Sequence, residues 1–349
     1  METQSKLMKP LVSVILCEHN TPIDFLEAAL NSILKQTYSN FEIIFVDDMT
    51  STDYSSLTIF SDPRIKVIKN GINKGLGASR NIGIDNSKGK YIAIMDTDDI
   101  ALPERFSKQV EYLETNPDVV VCGTWFETFG EKCETIKRVI DDNEYYRCCL
   151  LFDNDPAIIN PSTMIRKSVL LENSIRLNEN LTSAEDYDLW TKISCFGRIT
   201  NLKEVLFKYR LRPNQMSQRF RTVDLSDNGW EIRRWQLERL GIFLSEEEIK
   251  FVRLNYKRKE VDAFKYFKLL RKLSFANCES HFYVQEKFDK RIRKQWKDKI
   301  YSIKNPFTLL KLFIQLPFNE KRYLLKIEFM RLNRNKIRQE ENKEIQICE

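Results

Sequence analysis

Apolar runs of strand length alternate with amphipathic helical patterns through the first 123 residues, and this alternation constrains the fold more than any single motif. Residues 11–17 (LVSVILC), 41–46 (FEIIFV) and 91–95 (YIAIM) are almost unbroken apolar stretches. Strands buried on both faces read this way, because neither side of the pleat meets water. Residues 65–68 and 119–123 are shorter strand candidates. Between them lie helical patterns. In residues 25–36, Leu26, Ala29, Leu30 and Ile33 share one face. Residues 76–87 follow a turn containing Gly75 and Gly77, and residues 103–116 start at a proline, which the first turn of a helix tolerates. The pattern predicts a doubly wound α/β domain with a mainly parallel sheet.

Such sheets bind ligands beyond the carboxyl ends of their strands. Three polar clusters fall there: Glu18-His19-Asn20, Asp47-Asp48, and Asp96-Thr97-Asp98-Asp99. Three carboxylates within four residues repel one another, and a divalent cation gripping a diphosphate would justify clustering them. Taken alone, the acidic run is equally a solvated turn capping the next helix. Three such clusters at strand ends are harder to dismiss than one.

Composition removes several classes. Two histidines, His19 and His281, leave little room for a histidine metal site or a Ser-His-Asp triad. The eight cysteines form no C-x-x-C pair, as expected of free thiols in a reducing cytoplasm. No apolar stretch reaches the ~18 residues needed to span a bilayer, and residues 1–10 do not read as a secretory signal. The expected location is therefore cytoplasmic. The net charge of +6 conceals an asymmetry. Residues 1–249 carry 30 Lys/Arg and 38 Asp/Glu, whereas residues 250–340 carry 25 and 9. An acidic body joined to a basic carboxy-terminal part points to two tasks. Residues 1–220 are expected to form the catalytic domain and 221–349 a helical, basic extension.

Over residues 10–215 the motifs accumulate in a recognisable order. They are Val12-Ser-Val-Ile-Leu16, Ser32-Ile-Leu-Lys-Gln-Thr37, Val46-Asp-Asp48 with Ser51-Thr-Asp53, and Asn73-Lys-Gly75 with Ala78-Ser-Arg-Asn-Ile-Gly83. Met95-Asp-Thr-Asp-Asp99, Pro103-Glu-Arg-Phe106, Glu185-Asp-Tyr-Asp-Leu-Trp190 and Tyr209-Arg210 follow. In these the chain resembles the family 2 inverting glycosyltransferases of GT-A fold, particularly bacterial enzymes that build capsular and O-antigen polysaccharides.

The resemblance implies a role for each cluster. His19, flanked by Glu18 and Asn20, would lie beside the nucleobase, although an exposed histidine near a helix start has the same look. Asp48, with Asp47, would accept the uracil N–H, Arg80 would pair the diphosphate, and Gly75 would belong to the nucleotide-sugar site. Asp96 and Asp98 would serve the ribose and the nucleotide sugar, and Asp98 and Asp99 a Mn²⁺ or Mg²⁺ ion. Asp186 would be the general base and Glu185 would orient the sugars. On residue type alone Asp186 reads equally as a helix N-cap. Two departures stand out: Cys17-Glu18 where many members carry Pro-Thr, and Arg212 where many carry a histidine near the metal. An arginine at 212 would pair the diphosphate instead.

The implied reaction moves a hexose or N-acetylhexosamine from a UDP-sugar to an oligosaccharide, expected to be lipid-linked. The basic, aromatic segments 307–316 and 321–332 are expected to touch the inner membrane peripherally or to pack on the catalytic domain. A catalytically silent sugar-nucleotide-binding subunit is one alternative, and Asp98, Asp99 and Asp186 argue against it. A nucleic-acid-binding protein acting through the basic region is another. It leaves the acidic clusters unexplained, so nucleic acid is not an expected partner.

Overall fold

The longest apolar runs become adjacent strands in a computed structural model that describes residues 9–152, 157–213, 225–253 and 262–327. Strands β1 (Val12–Glu18), β2 (Phe41–Asp47), β3 (Ile65–Lys69) and β4 (Tyr91–Asp96) pair in parallel in the order β3-β2-β1-β4. Helix α1 (Ile23–Leu34) connects β1 to β2, α2 (Leu76–Asp85) connects β3 to β4, and α3 (Arg105–Thr115) follows β4.

Side-chain alternation divides the core into two layers. Val12, Val14, Leu16, Phe41, Ile43, Phe45, Tyr91, Ala93 and Met95 pack with α1 and with Phe106, Val110 and Leu113 of α3. Ile15, Ile44, Val46, Ile92 and Ile94 face the other way, toward Ile84 of α2. A double winding is the consequence of strands that are apolar on both faces. The close approach of α2 needs Gly83, where a Cβ would lie 2.6 Å from Ile15 Cγ2.

Residues 96–211 complete the sheet by a less regular route. Strands β5 (Ile100–Ala101), β6 (Val119–Gly130), β7 (Thr135–Ile136), β8 (Met164–Arg166) and β9 (Arg198–Leu211) extend it as β4-β8-β6-β9-β5, and β7 pairs with β6. The three-residue β8 is antiparallel to both β4 and β6, while β6 and β9 run parallel to each other. Three residues are too few to show a periodicity in the sequence. Helices α4 (Asn143–Phe152), α5 (Lys167–Glu172) and α6 (Glu185–Ile193) add Tyr146, Leu150, Val169, Leu170, Leu189 and Trp190 to the second layer. The sequence around residues 153–156 (DNDP) reads as a loop, and these residues lie outside the described ones.

The chain divides into two compact units, one of residues 1–150 with 154–232, the other of 151–153 with 233–349. The second unit is helical. After the division, which falls inside α7 (Leu225–Arg239), come α8 (Glu246–Arg253), α9 (Ala263–Ser280), α10 (Gln285–Ser302) and α11 (Pro306–Gln315). Asp262 caps α9 by accepting from Lys265 N, and His281 ends it at φ 54°. Tyr283 stacks on Phe288 with ring centroids 4.9 Å apart. No described helix is long and apolar enough to cross a membrane.

Candidate active site

Strand register brings the polar clusters to one level. Glu18 pairs with Asp47 across β1 and β2, and Cys17 pairs with Asp96 across β1 and β4. The residues that follow turn over the same edge of the sheet.

Most of the expected nucleotide-side residues are engaged in building that edge. Glu18 is fully buried, and its Oε1 accepts from Thr21 N at 2.7 Å and from Thr50 Oγ1 at 3.2 Å. It ties two loops together, while its Oε2 is buried without a hydrogen-bond partner. Asp47 accepts from Thr50 N at 2.9 Å and from Tyr54 OH at 2.6 Å. Asp48 takes three donors: Oδ1 accepts from Lys74 N and Asn70 Nδ2, both at 2.8 Å, and Oδ2 from Gly75 N at 2.9 Å. Gly75 sits at φ 84°, a conformation open to glycine at little cost, and this aims its N–H at the carboxylate. His19 is exposed. As the Nδ1–H tautomer it donates to the Asp48 carbonyl at 3.0 Å, and its Nε2 accepts from Asn73 Nδ2 at 3.1 Å. Asn20, at φ 59°, accepts from Ser51 N at 2.7 Å.

Arg80 joins the two sides of the site. Buried on α2, it donates from Nη2 to Asp96 Oδ1 at 2.9 Å and from Nη1 to Glu185 Oε1 at 2.6 Å. With its side-chain amide turned so that the oxygen accepts, Asn160, a residue sequence reasoning missed, meets Nη1 at 2.8 Å and Nη2 at 3.2 Å. The fork thus straps the first turn of α6 to the end of β4. A guanidinium suits this because its geometry holds two carboxylates at once.

Asp186 sits beside that strap. The helix starts two residues earlier than the sequence suggested, with Ala184 as N-cap at φ 64°, so Asp186 lies in the first turn and is not the cap. Burial and the neighbouring Glu185 raise its pKa to about 6, against the pull of Arg80. A carboxylate tuned this way can take a proton near neutral pH.

The acidic turn separates its members. The Asp98 side chain is 16% exposed, with Oδ2 at 3.0 Å from Arg212 Nε. Burial and Asp96 raise its pKa to about 6. Asp99 is fully buried, its Oδ1 accepts from Arg210 N at 2.8 Å, and burial holds its pKa well above the usual range. Its Oδ2 is buried without a hydrogen-bond partner. Arg210, also missed as a site residue, lies between Phe25 and Phe129 at 3.8 and 4.4 Å and donates to the Asp98 carbonyl at 2.7 Å.

Among the described residues, no three His, Cys, Asp or Glu side chains converge as a cation site. Asp98 and the 34%-exposed Asp96 are the carboxylates left partly open. They fit a divalent cation whose remaining oxygens come from elsewhere, as a diphosphate would supply.

A family model described as Glycosyl transferase family 2 matches residues 13–173. An uncharacterised glycosyltransferase of Haemophilus influenzae is 35% identical over 67% of this chain and 76% of its own length. The chain belongs to glycosyltransferase family 2. A second relative of this glycosyltransferase, from Methanocaldococcus jannaschii, is 34% identical over 60% of this chain and 74% of its own. The amylovoran biosynthesis glycosyltransferase AmsE of Erwinia amylovora is 27% identical over 65% and 83%. Among solved structures, S. aureus TarS 1–349 in complex with UDP-GlcNAc shares the fold with a TM-score of 0.54. It is 19% identical and covers 76% of this chain and 81% of its own.

Proposed function

We propose that this glycosyltransferase inverts the anomeric centre as it moves a hexose or N-acetylhexosamine from a UDP-sugar to a lipid-linked oligosaccharide during cell-surface polysaccharide synthesis, of capsule or O-antigen type. The observation that carries the reading is the Arg80 strap, which ties Asp96 at the end of β4 to Glu185, the residue before Asp186. The proposed base and oxygens for a nucleotide thus gather around one guanidinium.

In this reading Asp48 accepts the uracil N–H through the capacity left on Oδ2, and His19 and Asn20 flank the base. Asp96 takes ribose hydroxyls, and Arg80 and Arg212 face the diphosphate. Asp98, with Asp96 beside it, would hold the Mn²⁺ or Mg²⁺ ion, whose contribution is Lewis-acid neutralisation of the leaving group. Asp186 takes the proton of the acceptor hydroxyl while that oxygen bonds to the anomeric carbon. The bond from that carbon to the diphosphate breaks, and UDP leaves with its electron pair. A single in-line displacement of this kind inverts the centre. Residues 1–220 serve as the catalytic domain and 221–349 as an accessory region at the cytoplasmic face of the membrane. The neighbours support the donor and setting: the TarS structures hold UDP-GlcNAc and UDP, and AmsE is named for amylovoran biosynthesis.

The test is UDP release from a panel of UDP-hexoses and UDP-N-acetylhexosamines, with Mn²⁺ and with EDTA. Turnover of one donor that EDTA abolishes is the expected result. Silence with every donor, together with no UDP binding by calorimetry, would overturn the donor reading.

A further inference from the structure

Helix α11 presents its apolar residues outward. It buries only Leu312, whereas Phe307, Leu310 and Ile314 are 79%, 57% and 67% exposed. Positions i, i+3 and i+7 lie on one face, so these three form a continuous stripe. The helix is well made: Pro306 opens it, and Asn305 caps it by accepting from Phe307 N at 2.9 Å. Residues 318–327 are helical again and repeat the arrangement, with Phe318 and Leu325 both exposed and seven residues apart. A helix surface in water ordinarily carries polar groups at such positions.

The charge around the stripe is of one sign. Lys304 precedes α11, Lys311 lies within it, and Lys321, Arg322 and Lys326 follow. Between residues 299 and 327 the only acid is Glu320. A second copy of this face would bring the same cations against it, which disfavours self-association. A surface of anionic headgroups over an apolar interior complements both features at once. At about 15 Å, α11 is too short to span a bilayer and suited to lie in its interface.

We propose that Phe307, Leu310, Ile314 and Phe318, ringed by Lys304, Lys311 and Lys321, insert into an anionic lipid interface. This deepens the reading of a membrane-borne acceptor by assigning the contact to named side chains. Its test reads vesicle binding, so its failure is separable from failure of the transfer chemistry.

The experiment is co-sedimentation of the full chain with phosphatidylglycerol-containing vesicles and with pure phosphatidylcholine vesicles. Binding to the anionic vesicles that weakens with salt is expected, with little binding to the neutral ones. The double variant Phe307→Glu/Ile314→Glu should lose affinity by about tenfold or more, while its melting temperature and UDP release stay unchanged. Lys304→Gln/Lys311→Gln should lose less and flatten the salt dependence. Equal binding of the parent and the glutamate variant would overturn the proposal. So would absence of binding by the parent, whether residues 328–349 or a second copy covers the stripe. Light scattering would identify the latter as a dimer that Ile314→Glu dissociates.

Discussion

The half of the catalytic sheet built by β1 to β4 and the half built by β6, β8 and β9 are held together by different physics. In the first, strands β1, β2 and β4 are apolar almost throughout and are held to their helices by burial. In the second, buried polar side chains fasten the strands. Gln109 on α3 donates to Cys122 O at 2.6 Å and to Ser162 O at 2.9 Å. Arg105, one turn earlier, donates to Ile94 O and Thr163 O at 3.0 and 3.1 Å. Asn201 donates to Ala157 O at 2.8 Å. Hydrophobic burial is non-directional and tolerates repacking, whereas such hydrogen bonds fix geometry and are costly to leave half made. The nucleotide-side residues ride on the first half and the proposed base on the second, so the chemistry depends on their alignment.

Separating the two halves functionally should give the largest effect. Asp186→Asn should lower transfer by about 10²–10⁴-fold, the usual worth of a general base, with UDP affinity nearly unchanged by calorimetry. Transfer that survives at more than a tenth of the parent rate would remove Asp186 from the role. The same residue sets a pH expectation. Its pKa of about 6 is raised, so the base is ionised above that value and protonated below it. Transfer should fall as the pH drops through about 6, rather than through the ordinary aspartate range nearer 4. A flat profile from pH 5 to 8 would contradict this.

Severing the strap between the halves comes next. Arg80→Met leaves Asp96 and Glu185 without their shared cation in a buried setting, at a cost of about 3–5 kcal/mol. The urea midpoint should fall accordingly, and adding Glu185→Gln should restore part of the loss by removing one stranded charge. A single-variant cost below about 1 kcal/mol would mean that the strap is decoration.

The same contrast explains what could be read from the sequence. The first half was legible because fully apolar strands and one-faced helices leave a periodicity that survives without knowledge of the partner. The polar clusters at its strand ends were legible for the same reason. Of the second half, residues 119–123 and 205–211 read as strands and fall in β6 and β9. Strand β8 did not, because it is three residues long and its place is fixed by hydrogen bonds from Gln109 and Arg105. Nothing in a helix pattern announces which carbonyl a glutamine will reach. Within the site, the donors that Glu18 and Asp99 find, Thr21 and Thr50 in one case and the backbone of Arg210 in the other, could not be read from the motifs that contain them. Asn160 and Arg210 escaped notice because their roles exist only across long separations.

A smaller effect should single out the second half alone. Gln109→Leu keeps the volume roughly constant but strands the carbonyls of Cys122 and Ser162, which should cost about 2 kcal/mol. A comparable change on the first half, Ile43→Val, should cost about 1 kcal/mol because only a methyl group is lost. If the two costs came out equal in urea titrations, the distinction between polar and apolar fastening would carry no energetic weight.

The mildest test concerns Arg210, which joins the tip of β9 to the acidic turn of the first half. Its guanidinium lies between Phe25 and Phe129 and donates to the Asp98 carbonyl, so it holds Asp98 through the main chain and not through the carboxylate. Lysine keeps the charge but loses the planar stack and the fixed direction of the Nε–H bond. Arg210→Lys should therefore cost only about 1 kcal/mol of stability. It should nonetheless raise the KM for donor about threefold or more, because Asp98 is no longer held in place. A purely structural residue would lower the melting temperature and leave KM alone. A positioning residue moves KM even at temperatures where both proteins are fully folded, and that difference decides between the two.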